Sequence, residues 1–122
     1  MRLAIRLSQE TNVYIETLKE LFGEQLDNEV FFTKSQVVER SYLETKNIVD
    51  WNIVQNTKVK TTKKDFSEKE TVSTLNLSED TIKGIEKYLE IFPEIFGAKW
   101  VTKSFVIKLI TKANLMRYTN SD

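Results

Sequence analysis

The segment LNLSEDTIKGI, residues 75–85, has a near copy in IRLSQETNVYI, residues 5–15. In both segments two leucine or isoleucine residues alternate with a polar residue, and a serine follows. Alternation is the pattern of a β-strand with one buried face, and serine is a favoured N-cap residue of an α-helix. The two segments therefore predict the same unit twice, a short strand followed by a serine-capped helix.

A second pair of matching segments follows the first pair in the same order. TKSQV at residues 33–37 corresponds to TKSFV at residues 102–106, and Thr33 and Thr102 are candidate N-caps of a second helix in each unit. The strand segments differ in number by 70 and the second-helix segments by 69. Two ordered matches at nearly one offset indicate an internal duplication.

The remaining signals set the expected boundaries. Gly23 is the expected end of the first helix, and Pro93 and Gly97 are expected to close its counterpart. Trp51 and Trp100 are expected to be packing residues, and the alternative is an exposed role in contact with another protein. The predicted organisation is unit 1 at residues 1–46, a helix extension and lysine- and threonine-rich linker at 47–71, unit 2 at 72–116 and a tail at 117–122. The first part of the 47–71 segment is expected to extend the preceding helix or to pack on the core.

The composition excludes several function classes. The chain has no cysteine and no histidine, so disulfides, thiolate metal sites and the commonest general base are absent. We expect no enzyme activity, no metal, no cofactor and no small-molecule substrate. No apolar run approaches the ~20 residues that cross a bilayer, and the first residues do not resemble a secretory signal. The sequence predicts a soluble cytoplasmic protein with no membrane partner.

The duplicated plan resembles the ribbon-helix-helix (Arc/MetJ-like) family of DNA-binding proteins. The resemblance is carried by RLAIRLSQET and TKSQVVERSYL in the first unit, and by STLNLSEDT and TKSFVIKLIT in the second. It implies a mainly α fold with a short two-stranded antiparallel ribbon. Because a unit of ~45 residues buries little surface and its strand has bare edges, the two units are expected to pair as an intramolecular pseudo-dimer. Exchange of units between two chains stays open.

The outward face of such a ribbon is the first candidate site. The resemblance implies that the residues opposite the core contact bases in the major groove. Arginine can bind guanine and asparagine can bind adenine through two hydrogen bonds each. The alternative is that this face is only the solvated side of a small sheet. The predicted base-contacting residues are Arg2, Ala4, Arg6, Val72, Thr74 and Asn76, with Arg6 and Asn76 as first candidates.

The starts of the second helices are the other candidate site. Both place a lysine in the first turn, where the helix dipole favours an acid, and both surround it with hydroxyl groups and helix-start amides. The resemblance implies that these starts hold the DNA backbone. The alternative is that the lysines extend into solvent and the threonines only cap. The predicted phosphate-contacting residues are Thr33, Lys34, Ser35, Thr102, Lys103 and Ser104.

The expected function is sequence-specific binding of double-stranded DNA through the ribbon. A small transcriptional repressor, or a plasmid or mobile-element accessory factor in replication, partition or conjugative transfer, fits this expectation. Further self-association on DNA, or a protein partner, is compatible with it. The alternative is a protein-interaction module on the same scaffold, such as an antitoxin or a mobile-element inhibitor.

Overall fold

A computed structural model describes residues 1–48, 50–61 and 71–119 of the chain. In these ranges the protein is mainly helical and has one short two-stranded antiparallel sheet, as the sequence predicts. The elements in chain order are β1 (Arg2–Leu7), α1 (Gln9–Gln25), α2 (Lys34–Thr45), α3 (Trp51–Asn56), β2 (Thr71–Asn76), α4 (Glu79–Phe96) and α5 (Lys103–Thr119).

The two strands pair in a register centred on one residue pair. Ala4 lies opposite Thr74, Arg2 lies opposite Asn76, and Arg6 lies opposite Val72. The pairing is extended at one end, where the Leu77 amide donates to the Met1 carbonyl at 2.9 Å. Strands that are distant in sequence thus form the sheet, and the helices that follow each strand pack beneath it.

The four predicted N-caps lie at the starts of the four long helices. Ser8 accepts a hydrogen bond from the Thr11 amide, and Ser78 accepts the equivalent bond from the Thr81 amide, each at 3.2 Å. Thr102 accepts from the Phe105 amide at 3.0 Å. Thr33 forms a reciprocal capping box with Gln36. Each cap satisfies an amide that has no acceptor within its helix.

Two predicted helix ends are wrong. Gly23 lies inside α1, which continues to Gln25, and the chain then turns through Asp27 and Asn28 at positive φ. Pro93 also lies inside its helix. Helix α4 ends at Phe96, and Gly97, in the left-handed conformation, caps it and closes the helix as predicted. The helix continues past Pro93 because Phe96 packs against Phe92 and Phe105 at centroid distances of 5.7 and 5.4 Å. This packing outweighs one lost backbone hydrogen bond.

Helix α5 is the centre of the core, because the other four helices all pack on it. Its side chains are buried on nearly every side between Val106 and Leu115. Against α2 it places Asn114, whose amide donates to Ser41 Oγ at 3.2 Å and to Glu44 Oε1 at 3.1 Å. Buried polar groups at this contact are therefore paired, as burial requires.

The segment between the two predicted units packs on the core as a separate helix instead of extending α2. In α3 Trp51 is buried as predicted, and its ring contacts Tyr88 and Phe92. Lys112 of α5 donates to the Gln55 carbonyl at 2.9 Å and so links α3 to α5. Burial lowers the pKa of the Lys112 ammonium. Residues 62–70 of the predicted linker lie outside the described residues.

The last helix is longer than the sequence suggested. It extends to Thr119, three residues into the predicted tail, and Tyr118 packs edge-on against Phe22 at 5.7 Å. The Tyr118 hydroxyl also bonds Glu44. Residues 120–122 lie outside the described residues.

Candidate nucleic-acid interface

The ribbon has one buried face and one exposed face, because its side chains alternate. Ile5, Leu7 and Leu75 point into the core. All six residues predicted to point outward are exposed: Arg2, Ala4, Arg6, Val72, Thr74 and Asn76. The structure therefore brings these side chains together on one surface, while their contact with bases stays a prediction.

The register assigns these side chains to the two ends of the ribbon. Arg2 and Asn76 lie opposite each other and share one end. Arg6 and Val72 share the other end, and Ala4 and Thr74 occupy the middle. One end thus offers a guanidinium and a carboxamide, and the other offers a guanidinium and an isopropyl group. The exposed face is polar at both ends but chemically different at each.

The starts of α2 and α5 are fixed to opposite ends of this ribbon by reciprocal hydrogen bonds. Ser35 Oγ accepts from the backbone amide of Asn76 at 2.9 Å, and Ser104 Oγ donates to the backbone carbonyl of Arg6 at 2.7 Å. By the offset of the matching segments, Arg6 and Asn76 are equivalent positions. Each second helix therefore contacts the strand that belongs to the other half of the sequence.

The two helix starts differ in how their lysines are engaged. The Lys34 ammonium donates to Asn12 Oδ1 of α1 at 3.0 Å. The residue equivalent to Asn12 is Ile82, which offers no acceptor. Lys103 is exposed, and no side-chain hydrogen bond or ion pair joins it to another described residue. The ammonium of Lys103 is therefore more available to an external anion than that of Lys34.

The amides of the two starts differ as well. At the first start, the Thr33 amide donates to Gln36 Oε1 at 2.9 Å, which completes the capping box. At the second start, Phe105 occupies the position of Gln36 and has no side-chain acceptor to offer. The first two helical amides of each start have no acceptor within the helix by geometry. The second start is consequently the more open of the two.

An acid that the sequence did not single out joins the halves beside the ribbon. Glu39 of α2 accepts from the Ser78 amide and hydroxyl, each at 2.7 Å, and from the Thr81 hydroxyl. Burial opposes its ionisation, but these hydrogen bonds hold the pKa of Glu39 below its usual range. The carboxylate also complements the positive end of α4. No local pattern reveals this contact, because its partners are about 40 residues apart in sequence.

The loops before the second helices expose aromatic side chains. Phe31 is 89% exposed, and Trp100, at the equivalent position two residues before the capping threonine, is 69% exposed. The prediction that Trp100 is a packing residue is wrong, because most of its side chain is exposed, and the alternative of a protein-contact role stays a prediction. Phe31 borders a surface cavity that Glu16, Lys19 and Glu20 of α1 also line.

The described ranges contain no helix with both the length and the apolarity that a bilayer-spanning helix needs. Comparisons with models of protein families, with curated protein sequences and with solved structures found no match to this chain.

Proposed function

We propose that the chain is a tandem ribbon-helix-helix protein that folds as an intramolecular pseudo-dimer and binds double-stranded DNA. The ribbon enters the major groove, which is wide enough for two strands. The observation that carries the proposal is the pairing of β1 with β2, which leaves six outward side chains exposed on one face. A small transcriptional repressor or a plasmid or mobile-element accessory factor is the role that this activity suits.

The tandem architecture has three independent supports. The register is symmetric about Ala4 and Thr74, which are equivalent positions in the two matched segments. The bonds made by Ser35 and Ser104 are reciprocal between the halves. The caps of the first helices, at Ser8 and Ser78, have the same geometry. Two related units joined about an approximate two-fold axis account for all three.

The chemistry of the exposed face favours a non-palindromic site. Successive outward residues are two apart, about 6.6 Å along a strand. From Arg2 to Arg6 the face therefore spans about 13 Å, or roughly four base-pair steps. Arg2 and Asn76 suit adjacent guanine and adenine at one end. Arg6 suits guanine at the other end, where Val72 can contact a thymine methyl group.

The starts of α2 and α5 would contact the phosphates that flank the bases read by the ribbon. The serine contacts at Ser35 and Ser104 hold them at the two ends of the ribbon. Backbone contacts of this kind fix the register on the duplex and carry no sequence information themselves. The affinity should therefore fall steeply with salt.

Selection of bound duplexes from a random pool tests the proposal. The native chain should enrich a non-palindromic site. Arg2→Ala and Arg6→Ala should each relax base preference at one end only, by about 1–3 kcal/mol. Arg117→Ala is a matched control, because Arg117 lies 13 helical positions beyond Ser104, about 20 Å along α5. A palindrome, no enrichment, or loss at the same end in both ribbon variants would contradict the proposal.

The exposed aromatic residues favour a second candidate function, a protein-interaction module of the antitoxin or mobile-element-inhibitor type. Phe31 and Trp100 expose large apolar surfaces at equivalent places in the two halves. Such surfaces mark contact sites when they adjoin polar rims. Double replacement by serine should abolish binding to a protein partner and leave duplex binding intact. Binding that varies little with salt would favour this second function over DNA binding.

A further inference from the structure

The contact between α2 and α4 depends on a residue without a side chain. Tyr42 of α2 lies directly over Gly84 of α4, and a Cβ atom placed on Gly84 would come within 2.1 Å of the Tyr42 hydroxyl oxygen. The same atom would lie 2.2 Å from ring atoms Cε1 and Cζ of Tyr42. Because atoms do not approach so closely, any larger residue at position 84 must displace the tyrosine.

The equivalent positions in the other pair of helices have the opposite sizes. By the offset of the matching segments, Gly84 corresponds to Tyr14 of α1, and Tyr42 corresponds to Thr111 of α5. Both are buried, and α1 packs on α5. The interface of α2 with α4 therefore combines a large residue on α2 with a small one on α4. The interface of α5 with α1 has the small residue on α5 and the large one on α1.

The polar groups beside these positions are also different in the two interfaces. Glu39 of α2 accepts three hydrogen bonds from Ser78 and Thr81 at the start of α4. Its equivalent in α5 is Lys108, which lies 3.9 Å from Glu10 at the start of α1. An ammonium group has only donors, so Lys108 could not replace Glu39 at the start of α4.

We infer that the two halves of the chain are complementary to each other and not to themselves, so that the chain closes on itself as a monomer. This inference rests on the tandem architecture proposed above. If two first halves paired, Tyr42 would meet Tyr14. If two second halves paired, Thr111 would leave a gap over Gly84. Both like pairings are disfavoured, by overpacking in the first and by a void in the second.

The consequence for binding is a fixed stoichiometry. A single polypeptide supplies both strands, in one order, and a pair of like halves cannot provide an equivalent ribbon. The linked halves also pair at a high effective concentration, which favours closure within one chain.

Denaturation and light scattering of the full chain without DNA test the inference. The native protein should remain monomeric across roughly a thousandfold range of concentration, with an unfolding midpoint that does not change over this range. Gly84→Tyr should lower that midpoint strongly. The double variant Tyr42→Thr/Gly84→Tyr, which copies the residues at positions 111 and 14, should regain most of the loss.

Alanine replacements supply a milder comparison that does not depend on how well a tyrosine is tolerated. Gly84→Ala should lower the midpoint, whereas Gly23→Ala in α1 should not, because a Cβ on Gly23 would find its nearest neighbour at 3.5 Å. A native dimer, equal midpoints for the two alanine variants, or a double variant no more stable than Gly84→Tyr would overturn the inference. None of these measurements involves DNA, so failure of duplex binding would be seen separately.

Discussion

Removing the lysine from each second-helix start should weaken DNA binding unequally. Lys103 is exposed and its ammonium has no side-chain partner among the described residues, whereas Lys34 donates to the buried Asn12 at 3.0 Å. A phosphate must compete with Asn12 for Lys34. A hydrogen bond from a charged donor of this kind contributes about 1.5–3 kcal/mol, so the competition costs roughly ten- to a hundredfold in affinity.

The salt dependence of binding measures this difference directly. Each phosphate contact contributes about −0.9 to the slope of log K against log salt. Lys103→Ala should therefore make the slope shallower by about 0.9, and Lys34→Ala by clearly less. The assay is fluorescence anisotropy of a labelled random-sequence duplex, titrated at several salt concentrations between about 50 and 200 mM.

The control is Lys87→Ala, which removes the same charge from the exposed surface of α4. It should leave the slope unchanged, because it removes no phosphate contact. If Lys34→Ala and Lys103→Ala changed the salt slope equally, the inference that the two lysines are unequally available to phosphate would be refuted. A Lys103→Ala slope indistinguishable from that of Lys87→Ala would refute phosphate contact at this start.

Three further predictions concern stability and are measured by chemical denaturation. Glu39→Gln should lower the free energy of unfolding by about 1–2 kcal/mol near neutral pH, because it removes a charged acceptor at the start of α4. The pKa of Glu39 is lower in the folded state than in the unfolded state. The difference in unfolding free energy between the native protein and Glu39→Gln is therefore fully present at pH values above the unfolded-state pKa. This difference should disappear as the pH falls through the folded-state pKa of Glu39. A difference that does not depend on pH would contradict the role of Glu39 as a charged acceptor. Gly97→Ala should cost about 1–2 kcal/mol and Gly97→Asn less, because the position has φ +63 and open space around it; equal stability of all three proteins would count against backbone strain. Phe22→Ala should cost about 3–5 kcal/mol, because its fully buried ring contacts Phe32 and lies 3.8 Å from the Arg40 guanidinium; a loss below 1 kcal/mol would show that the site collapses without a cavity.

The sequence predicted the ribbon and the helix starts because their signals are local. Alternation in β1 and β2 specifies which face is buried, and a capping residue needs only an amide three positions later. Those signals placed Ser8, Thr33, Ser78 and Thr102 correctly. They also identified which side chains of the ribbon are exposed.

The misassigned features depend on contacts between distant parts of the chain. Pro93 and Gly23 are helix-ending residues by local preference, but α1 continues to Gln25, and packing of Phe96 against Phe105 of α5 carries α4 past Pro93. Trp100 has the size of a core residue, yet most of its side chain is exposed in the loop before α5. Glu39 was missed for the same reason, because its hydrogen-bond partners belong to another helix.

The repeated TKS motif also could not predict that Lys34 and Lys103 differ in their hydrogen-bond partners. The letters TKS are identical at both starts, and the difference arises from Asn12 and Ile82, which belong to the preceding helices. A repeated motif identifies equivalent positions, but the neighbours of each copy decide what its side chains can bind.

The pairing of β1 with β2 has a consequence for how the protein is made. The edge of residues 2–7 is covered only after residues 71–76 have been synthesised. The apolar faces of α1 and α2 are likewise buried only after α5 has been synthesised. At synthesis rates of about 5–20 residues per second, the first strand stays uncovered for roughly four to fourteen seconds. An emerging chain with an open edge can associate with its neighbours on the same messenger RNA. The interval is set by the spacing of the two strands, so a longer connection between them would lengthen this exposure during translation.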